Sequence, residues 1–329
     1  MALANPAPAE SGPLRLIDKP QPVPAADEIL VRVLACGVCR TDLHVVEGDL
    51  APKHRDIVPG HEIVGVVERP RAENARFKTG DRVGVPWLRY TCGACAYCRS
   101  GRENLCPNAL FTGWDRDGGY AEHAVVREDY AYRIPDAIDD EHAAPLLCAG
   151  IIGFRAIKRA AVVPGATVGL YGFGGSAHLA LQVLKHWGCR VFVMSRAGVH
   201  RDLAKELGAD WIGDASQRPP DALDSAILFA PAGDLVPPVM RSLRRGGVLA
   251  IAGIYLTPIP PLDYATELFD EKEIRSVTAN TRADGEEFLE IAGQIPIRTV
   301  TVAMPLEEAN QALTMLKRDE LRGAAVLRP

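Results

Sequence analysis

Four cysteines stand close enough in the chain to share one ion. Cys92, Cys95, Cys98 and Cys106 are separated by two, two and seven intervening residues. Thiolates at that spacing can wrap a short loop around a metal, and zinc takes four of them as a tetrahedron at about 2.3 Å each. Such a set leaves no coordination position open, so the role it points to is structural. The alternatives are an iron–sulfur cluster or unpaired cysteines; the ligand type and its geometric preference favour zinc.

Three further candidates are dispersed: Cys39, the pair His61-Glu62, and Cys148. Two thiolates and one imidazole make the three-ligand set of a catalytic zinc, whose fourth position is kept for water or substrate. Taken singly, each has a plainer reading. A lone cysteine is commonly a small buried hydrophobe, and a lone histidine before a strand is commonly a hydrogen-bonded structural residue. Spacing alone does not pair ligands this far apart.

A third pattern is contiguous. Thr167–Tyr171 reads as a short apolar strand that runs into Gly172-Phe173-Gly174-Gly175-Ser176-Ala177 and then a helix. This is G-x-G-x-x-A in the strand–turn–helix setting that a dinucleotide site requires. Gly172 permits the tight turn. Gly174 and Gly175 leave the backbone open to a pyrophosphate at the helix N-terminus, and Ala177 is small enough for helix–strand packing. At the end of the next strand, NAD enzymes place an acid on the ribose 2′-hydroxyl. Here Met194 is followed by Ser195 and Arg196. A carboxylate repels a 2′-phosphate, whereas a guanidinium binds one by charge-assisted hydrogen bonds. The expected cofactor is therefore NADP(H) in preference to NAD(H), held by Ser195 and Arg196 with help from Arg201. The plainer reading of Ser195-Arg196 is a polar turn.

In their order along the chain these segments resemble the zinc-dependent medium-chain alcohol dehydrogenases. Gly37-Val38-Cys39-Arg40-Thr41-Asp42-Leu43-His44 resembles the family's first-ligand segment. Gly60-His61-Glu62 resembles its second, Leu147-Cys148-Ala149-Gly150 its third, and the four-cysteine lobe its structural zinc loop. The resemblance implies two zinc ions per chain, with Cys39, His61 and Cys148 on the catalytic one. It implies that Glu62 approaches that metal when water exchanges with substrate, and that Asp42 fixes the tautomer of His61. Thr41 would take the alcohol proton, and His44 would pass it to solvent by way of the cofactor ribose. Arg40 and Arg322 match positions that contact cofactor phosphates, although a solvated surface arginine is the plainer reading of each. Trp87 matches an aromatic wall of the alcohol pocket, with core packing as its plainer reading. Val46 and Leu50 are further wall candidates, and their size favours primary alcohols.

The elements that must position these residues are legible in part. Ile29–Ala35 and Glu62–Val67 are β-branched runs bounded by Gly, Pro and charge, and Pro and Gly recur through the first 135 residues. Near residue 150 the pattern changes to strand–helix alternation, which implies a parallel sheet covered on both faces. Beyond Thr167–Tyr171, strands are expected at Arg190–Met194, Ala226–Ala230 and Val248–Ala252. Helices are expected at Ser176–Trp187, His200–Leu207 and Leu235–Leu243. The tail reads as strand Thr299–Ala303, helix Leu306–Leu316 and strand Ala324–Leu327; composition does not say which domain it joins. The expected fold is α/β: a Rossmann-type doubly wound domain over 150–280, and a β-rich, partly open barrel over 1–149 and 281–329 that carries a zinc lobe at about 91–107.

Composition limits the function classes. The chain has 329 residues, 47% hydrophobic and 24% charged, a balance that excludes a disordered or collagen-like chain. A net charge of −5 argues against a general nucleic-acid coat or a polybasic membrane anchor. The stretch from Ala143 to Phe154 is too short and too broken by Pro145, Gly150 and Gly153 to span a bilayer. No signal peptide is legible at the N-terminus, so a cytoplasmic address is the expectation. The function expected is interconversion of alcohols, primary ones first, with aldehydes or ketones. The expected partner is a small-molecule substrate, with neither nucleic acid nor membrane. The family resemblance implies a homodimer or homotetramer. The rivals are a polyol or sugar dehydrogenase on the same scaffold, a zinc-free quinone reductase, and a non-catalytic nucleotide-binding redox sensor built on zinc–thiolate sites. The Trp87, Leu50 and Val46 set argues against a polyol, the Cys39 and Cys148 pair against the reductase, and the Thr41/His44 pair against the sensor.

Overall fold

The computed structural model describes residues 1–72, 75–196, 198–215 and 217–329. The chain divides into two compact units, one of 1–149 with 279–329 and one of 150–278.

In the second unit, buried five-residue strands alternate with helices. Thr167–Tyr171 and Arg190–Met194 are buried along almost their whole length, as central strands covered on both faces must be. The six strands pair in the order Trp211–Gly213, Arg190–Met194, Thr167–Tyr171, Leu223–Leu228, Leu243–Ile251, Glu273–Ser276. Every pairing is parallel. Counted along the chain this is order 3-2-1-4-5-6, the doubly wound arrangement of Rossmann domains. Its apolar core gathers Tyr171, Phe192, Leu228, Val239 and Leu249. The helices Gly175–His186, Gly198–Glu206 and Val236–Ser242 fall where the apolar periodicity puts them, shifted by a residue or two. The strands Trp211–Gly213 and Glu273–Ser276 have no run of buried residues and give no such signal.

The first unit is β-rich. Its seven-stranded sheet is built around Glu28–Val38, which pairs antiparallel with Glu62–Arg69, His123–Arg127 and Ala324–Arg328. The tail therefore returns to this unit: Ala324–Arg328 joins Glu28–Val38, and Thr301–Pro305 adds outside it in parallel. The other end of the sheet runs through Arg82–Val85 to Tyr132–Arg133. The core behind it takes alternate residues such as Ile29, Val31 and Val33, facing Ile63, Val83 and Val85. The α-helices Arg40–Glu47, Ala149–Arg159 and Arg282–Gln294, and the four-residue turns of helix Ala96–Arg99 and Asp140–Ala143, were not legible from periodicity. Among the described residues no helix is long and apolar enough to cross a membrane.

Candidate active site and metal centres

Strand register brings the dispersed ligands together. Gly37 lies opposite Glu62 in the antiparallel pair of Glu28–Val38 with Glu62–Arg69. Cys39 leaves the first strand at the same end at which His61 enters the second. Cys148 follows the buried Ala144–Leu147 turn, which packs on both strands. The ligand atoms of Cys39, His61, Glu62 and Cys148 all lie within 4.8 Å of one another. His61 Nε2 is 3.2 Å from Cys39 Sγ.

Asp42 ties this cluster down. Cys39 is the N-cap of the Arg40–Glu47 helix, and its N–H donates to Asp42 Oδ2 at 2.9 Å. The other carboxylate oxygen accepts from the Gly60 N–H at 3.1 Å and from His61 Nδ1 at 3.0 Å. A carboxylate is acceptor-only, so Nδ1 carries a hydrogen, and the neutral ring presents its Nε2 lone pair to the cluster.

The electrostatics are those of a cation-binding pocket. The Cys148 thiol donates to Cys39, and this bond, with His61 nearby, outweighs burial and holds the Cys39 thiol well below the usual thiol range. The same bond, with burial, pushes Cys148 well above it. Burial disfavours a charged His61, but the neighbouring Cys39 and Asp42 outweigh it and raise the imidazole. Burial pushes the Glu62 carboxyl up, and its Oε2 is buried without a hydrogen-bond partner. A Cβ at Gly37 would stand 1.8 Å from that oxygen, so glycine is what leaves room for the carboxylate. An orphaned buried oxygen among two sulfurs and an imidazole is the donor set that a divalent zinc would satisfy.

The four-cysteine lobe has matching dimensions. The sulfurs of Cys95 and Cys98 are 3.5 Å apart, those of Cys106 and Cys92 3.6 Å, and those of Cys92 and Cys98 3.9 Å. A tetrahedron with zinc–sulfur bonds of about 2.3 Å has edges of about 3.8 Å.

The glycine loop is open where a dinucleotide would lie. Gly172 has φ +87° against Ala230, a conformation in which a side chain would be strained. Gly174 is the N-cap of the Gly175–His186 helix with no side-chain cap, and a Cβ there would meet nothing within 4 Å. The first-turn N–H groups of this helix are thus left without a side-chain cap. His178, which motif reasoning missed, holds the loop from behind. Burial pushes its imidazole down to about 4, so the ring is neutral, and Nδ1 donates to Gly174 O at 3.3 Å.

The remaining candidates fall in several settings. Thr41 and His44 are half-buried, one turn apart on the Arg40–Glu47 helix. Arg40 is exposed and ion-paired with Asp319, and Arg322 is exposed just before the last strand. Ser195 is buried and gives its N–H to Gly213 O, whereas Arg196 is exposed. Arg201 is engaged within the unit, by Ser195 O and the Asp214 carboxylate. Val46 is a correction: it is fully buried in the core of the first unit, with Leu50 packed against that core. Trp87 stands edge-on to the His61 ring at 4.9 Å and stacks on Phe111 and Trp114. Neither of these two neighbours has a sequence signal, because strand pairing of Leu88–Tyr90 with Leu110–Phe111 is what gathers them.

Two family models match, an alcohol dehydrogenase GroES-like domain over residues 25–136 and a zinc-binding dehydrogenase domain over 175–294. The probable alcohol dehydrogenase AdhA of Mycobacterium tuberculosis is 53% identical over 98% of this chain and 95% of its own. The chain belongs to the zinc-dependent medium-chain alcohol dehydrogenase family. Solved structures agree. A cinnamyl alcohol dehydrogenase of Sorghum bicolor superposes with a TM-score of 0.90 at 30% identity, over 99% of this chain and 96% of its own. The cobalt- and zinc-bound alcohol dehydrogenase of Pyrobaculum aerophilum has a TM-score of 0.88 at 28% identity, over 100% and 98%. As a member of this zinc- and NAD(P)-dependent family, the chain is an oxidoreductase of alcohols and carbonyl compounds.

Proposed function

We propose that this alcohol dehydrogenase interconverts apolar primary alcohols and aldehydes, prefers NADP(H), and binds two zinc ions per chain. The observation that carries this reading is the convergence of Cys39, His61, Glu62 and Cys148 within 4.8 Å. Cys39, His61 and Cys148 hold the catalytic ion, and Cys92, Cys95, Cys98 and Cys106 the structural one. When bound, the catalytic zinc supplies Lewis-acid polarisation of the substrate oxygen and the nicotinamide supplies hydride exchange.

The chain's own residues do the rest. Asp42 keeps the His61 lone pair aimed at the metal position. Glu62, buried beside the ligands with an oxygen that has no hydrogen-bond partner, would be within reach of an ion held there. Thr41 takes the proton released from the substrate hydroxyl, and His44, one turn on, hands it to solvent. Trp87, Phe111 and Trp114 form an aromatic wall next to His61, which offers an apolar chain a broad contact area, and the Trp114 indole N–H is already given to Ala51 O. Trp87→Ala is expected to lower kcat/KM for aromatic and longer-chain alcohols about tenfold, and for ethanol by much less. Equal losses for both classes would remove Trp87 from the wall.

Gly172, Gly174 and Gly175 cradle the dinucleotide, with Arg40 and Arg322 as further phosphate contacts. NADP preference rests on the exposed Arg196 that follows Ser195 where an acid would exclude the 2′-phosphate. Arg196→Ala is expected to raise KM for NADP by about tenfold and to leave KM for NAD within about twofold. The same rise for both cofactors would reject the assignment.

The deciding experiment combines metal analysis with a panel of alcohols and aldehydes assayed with both cofactors. Two zinc ions per chain with NADP-linked turnover of primary alcohols is the expected result. A protein that carries both ions and is inert toward every alcohol and aldehyde with either cofactor would overturn it.

A further inference from the structure

A row of rings leads away from the metal position. The Trp87 ring stands edge-on to His61 with centroids 4.9 Å apart, and Trp114 lies nearly parallel to Trp87 at 6.0 Å. The row ends on a cation: Lys53 Nζ sits 4.5 Å from the centre of the Trp114 ring. Two contacts hold this end in place. The Trp114 indole N–H donates to Ala51 O at 2.9 Å, two residues before Lys53. The same ring therefore fixes the 51–53 stretch at its edge and draws the ammonium to its electron-rich face.

The acids flanking Lys53 in the chain and beside Trp114 are engaged elsewhere. Asp49 pairs with His44, Asp56 with Arg55 and Asp117 with Lys19. The Asp115 carboxylate accepts the Phe111 N–H at 2.9 Å. Lys53 is exposed, and among the described residues it makes no ion pair. A ring face attracts a cation without neutralising it, so the ammonium keeps its charge for an anion from outside.

We propose that Lys53 is a specificity determinant: it selects alcohols and aldehydes whose apolar chain ends in a carboxylate, which its ammonium meets at the far end of the ring row. This deepens the reading given under the proposed function and rests on it. With the reacting oxygen at the metal position, the apolar chain lies along Trp87 and Trp114, and only the remote end reaches the charge. The carboxylate takes no part in hydride exchange. Its attraction to Lys53 is the same before and during reaction, so it lowers KM and leaves kcat alone. Opposite charges about 4 Å apart in a water-exposed setting correspond to about fivefold in affinity.

The test uses straight-chain aldehydes that end in a carboxylate, each matched by its primary amide, across a series of chain lengths. The two members of a pair have nearly the same size and differ in charge. In the wild type, the ratio of kcat/KM for carboxylate to that for amide is expected to be near one for the shortest chains. It rises to about fivefold, through KM, where the chain spans the ring row. At that length Lys53→Arg keeps the ratio, Lys53→Met brings it to about one, and Lys53→Glu inverts it. Added salt shrinks the wild-type ratio, because an exposed pair is screened. A wild type that reduces both members of every pair equally well removes the Lys53 inference, as does a Lys53→Glu protein with the wild-type ratio. Either result leaves the alcohol dehydrogenase reading standing. A protein inert toward every carboxylate, amide and neutral aldehyde sinks that reading, and this inference with it.

Discussion

Cys148→Ala is expected to yield a folded protein that retains one zinc in place of two and oxidises alcohols at least about a thousandfold more slowly. The magnitude follows from the several kcal/mol that a Lewis-acidic ion contributes to stabilising charge on the substrate oxygen, since each 1.36 kcal/mol is about tenfold in rate. The loss is cooperative. Cys39 and His61 alone leave the ion one thiolate short, so their hold on it weakens together with the loss of Cys148. The fold is expected to survive because the turn before it is anchored by Pro145, Leu146 and Leu147, all buried. Metal analysis, circular dichroism and kcat/KM on the same preparation check this. Wild-type turnover with two zinc ions still bound would remove the mechanism.

Cys95→Ala is expected to release the structural ion and open the lobe between Cys92 and Cys106. The physical reason is the absence of a core there. Among the described residues of that span, only Glu103, Asn104 and Cys106 are buried. Its α-helix, Ala96–Arg99, is four residues long and has no buried residue, and the only other helical turn is the three-residue Glu103–Leu105. Such a segment has no apolar burial to offset the entropy of ordering, so metal–thiolate bonds must supply the stability. If about 3 kcal/mol of local stability is lost, the open fraction rises about a hundredfold. Trypsin cleavage after Arg99 or Arg102 should then accelerate by at least about tenfold, while the parallel sheet of the second unit keeps its thermal transition. Unchanged cleavage with an unchanged metal count would show that the lobe stands without zinc.

The two centres differ in how far a linear reading could reach. The sulfurs of Cys92, Cys95 and Cys98 sit three residues apart, so chain geometry alone keeps them near one another. Gly172 to Ala177 likewise owe their arrangement to the strand before them and the helix after them. Cys39, His61 and Cys148 share no such local constraint. Their approach depends on the register that sets Gly37 against Glu62, and on the Ala144–Leu147 turn packing on both strands. Val46 shows the same limit from the other side. Its residue type suits a pocket wall, and the helix turns it into the core.

Contacts between near neighbours were therefore determined by the sequence itself: the closed four-sulfur loop, the phosphate-binding turn, the strand–helix alternation and the family to which they belong. Everything that needed distant segments to meet was decided by tertiary structure. That includes the return of Ala324–Arg328 to the sheet of Glu28–Val38, the hub made by Asp42, the space at Gly37 for Glu62, and the stacking of Phe111 and Trp114 on Trp87. A local motif is limited by the reach of a few covalent bonds, whereas a distant pair is set by hydrogen-bond register and side-chain packing, which exist only once the chain has closed its long loops.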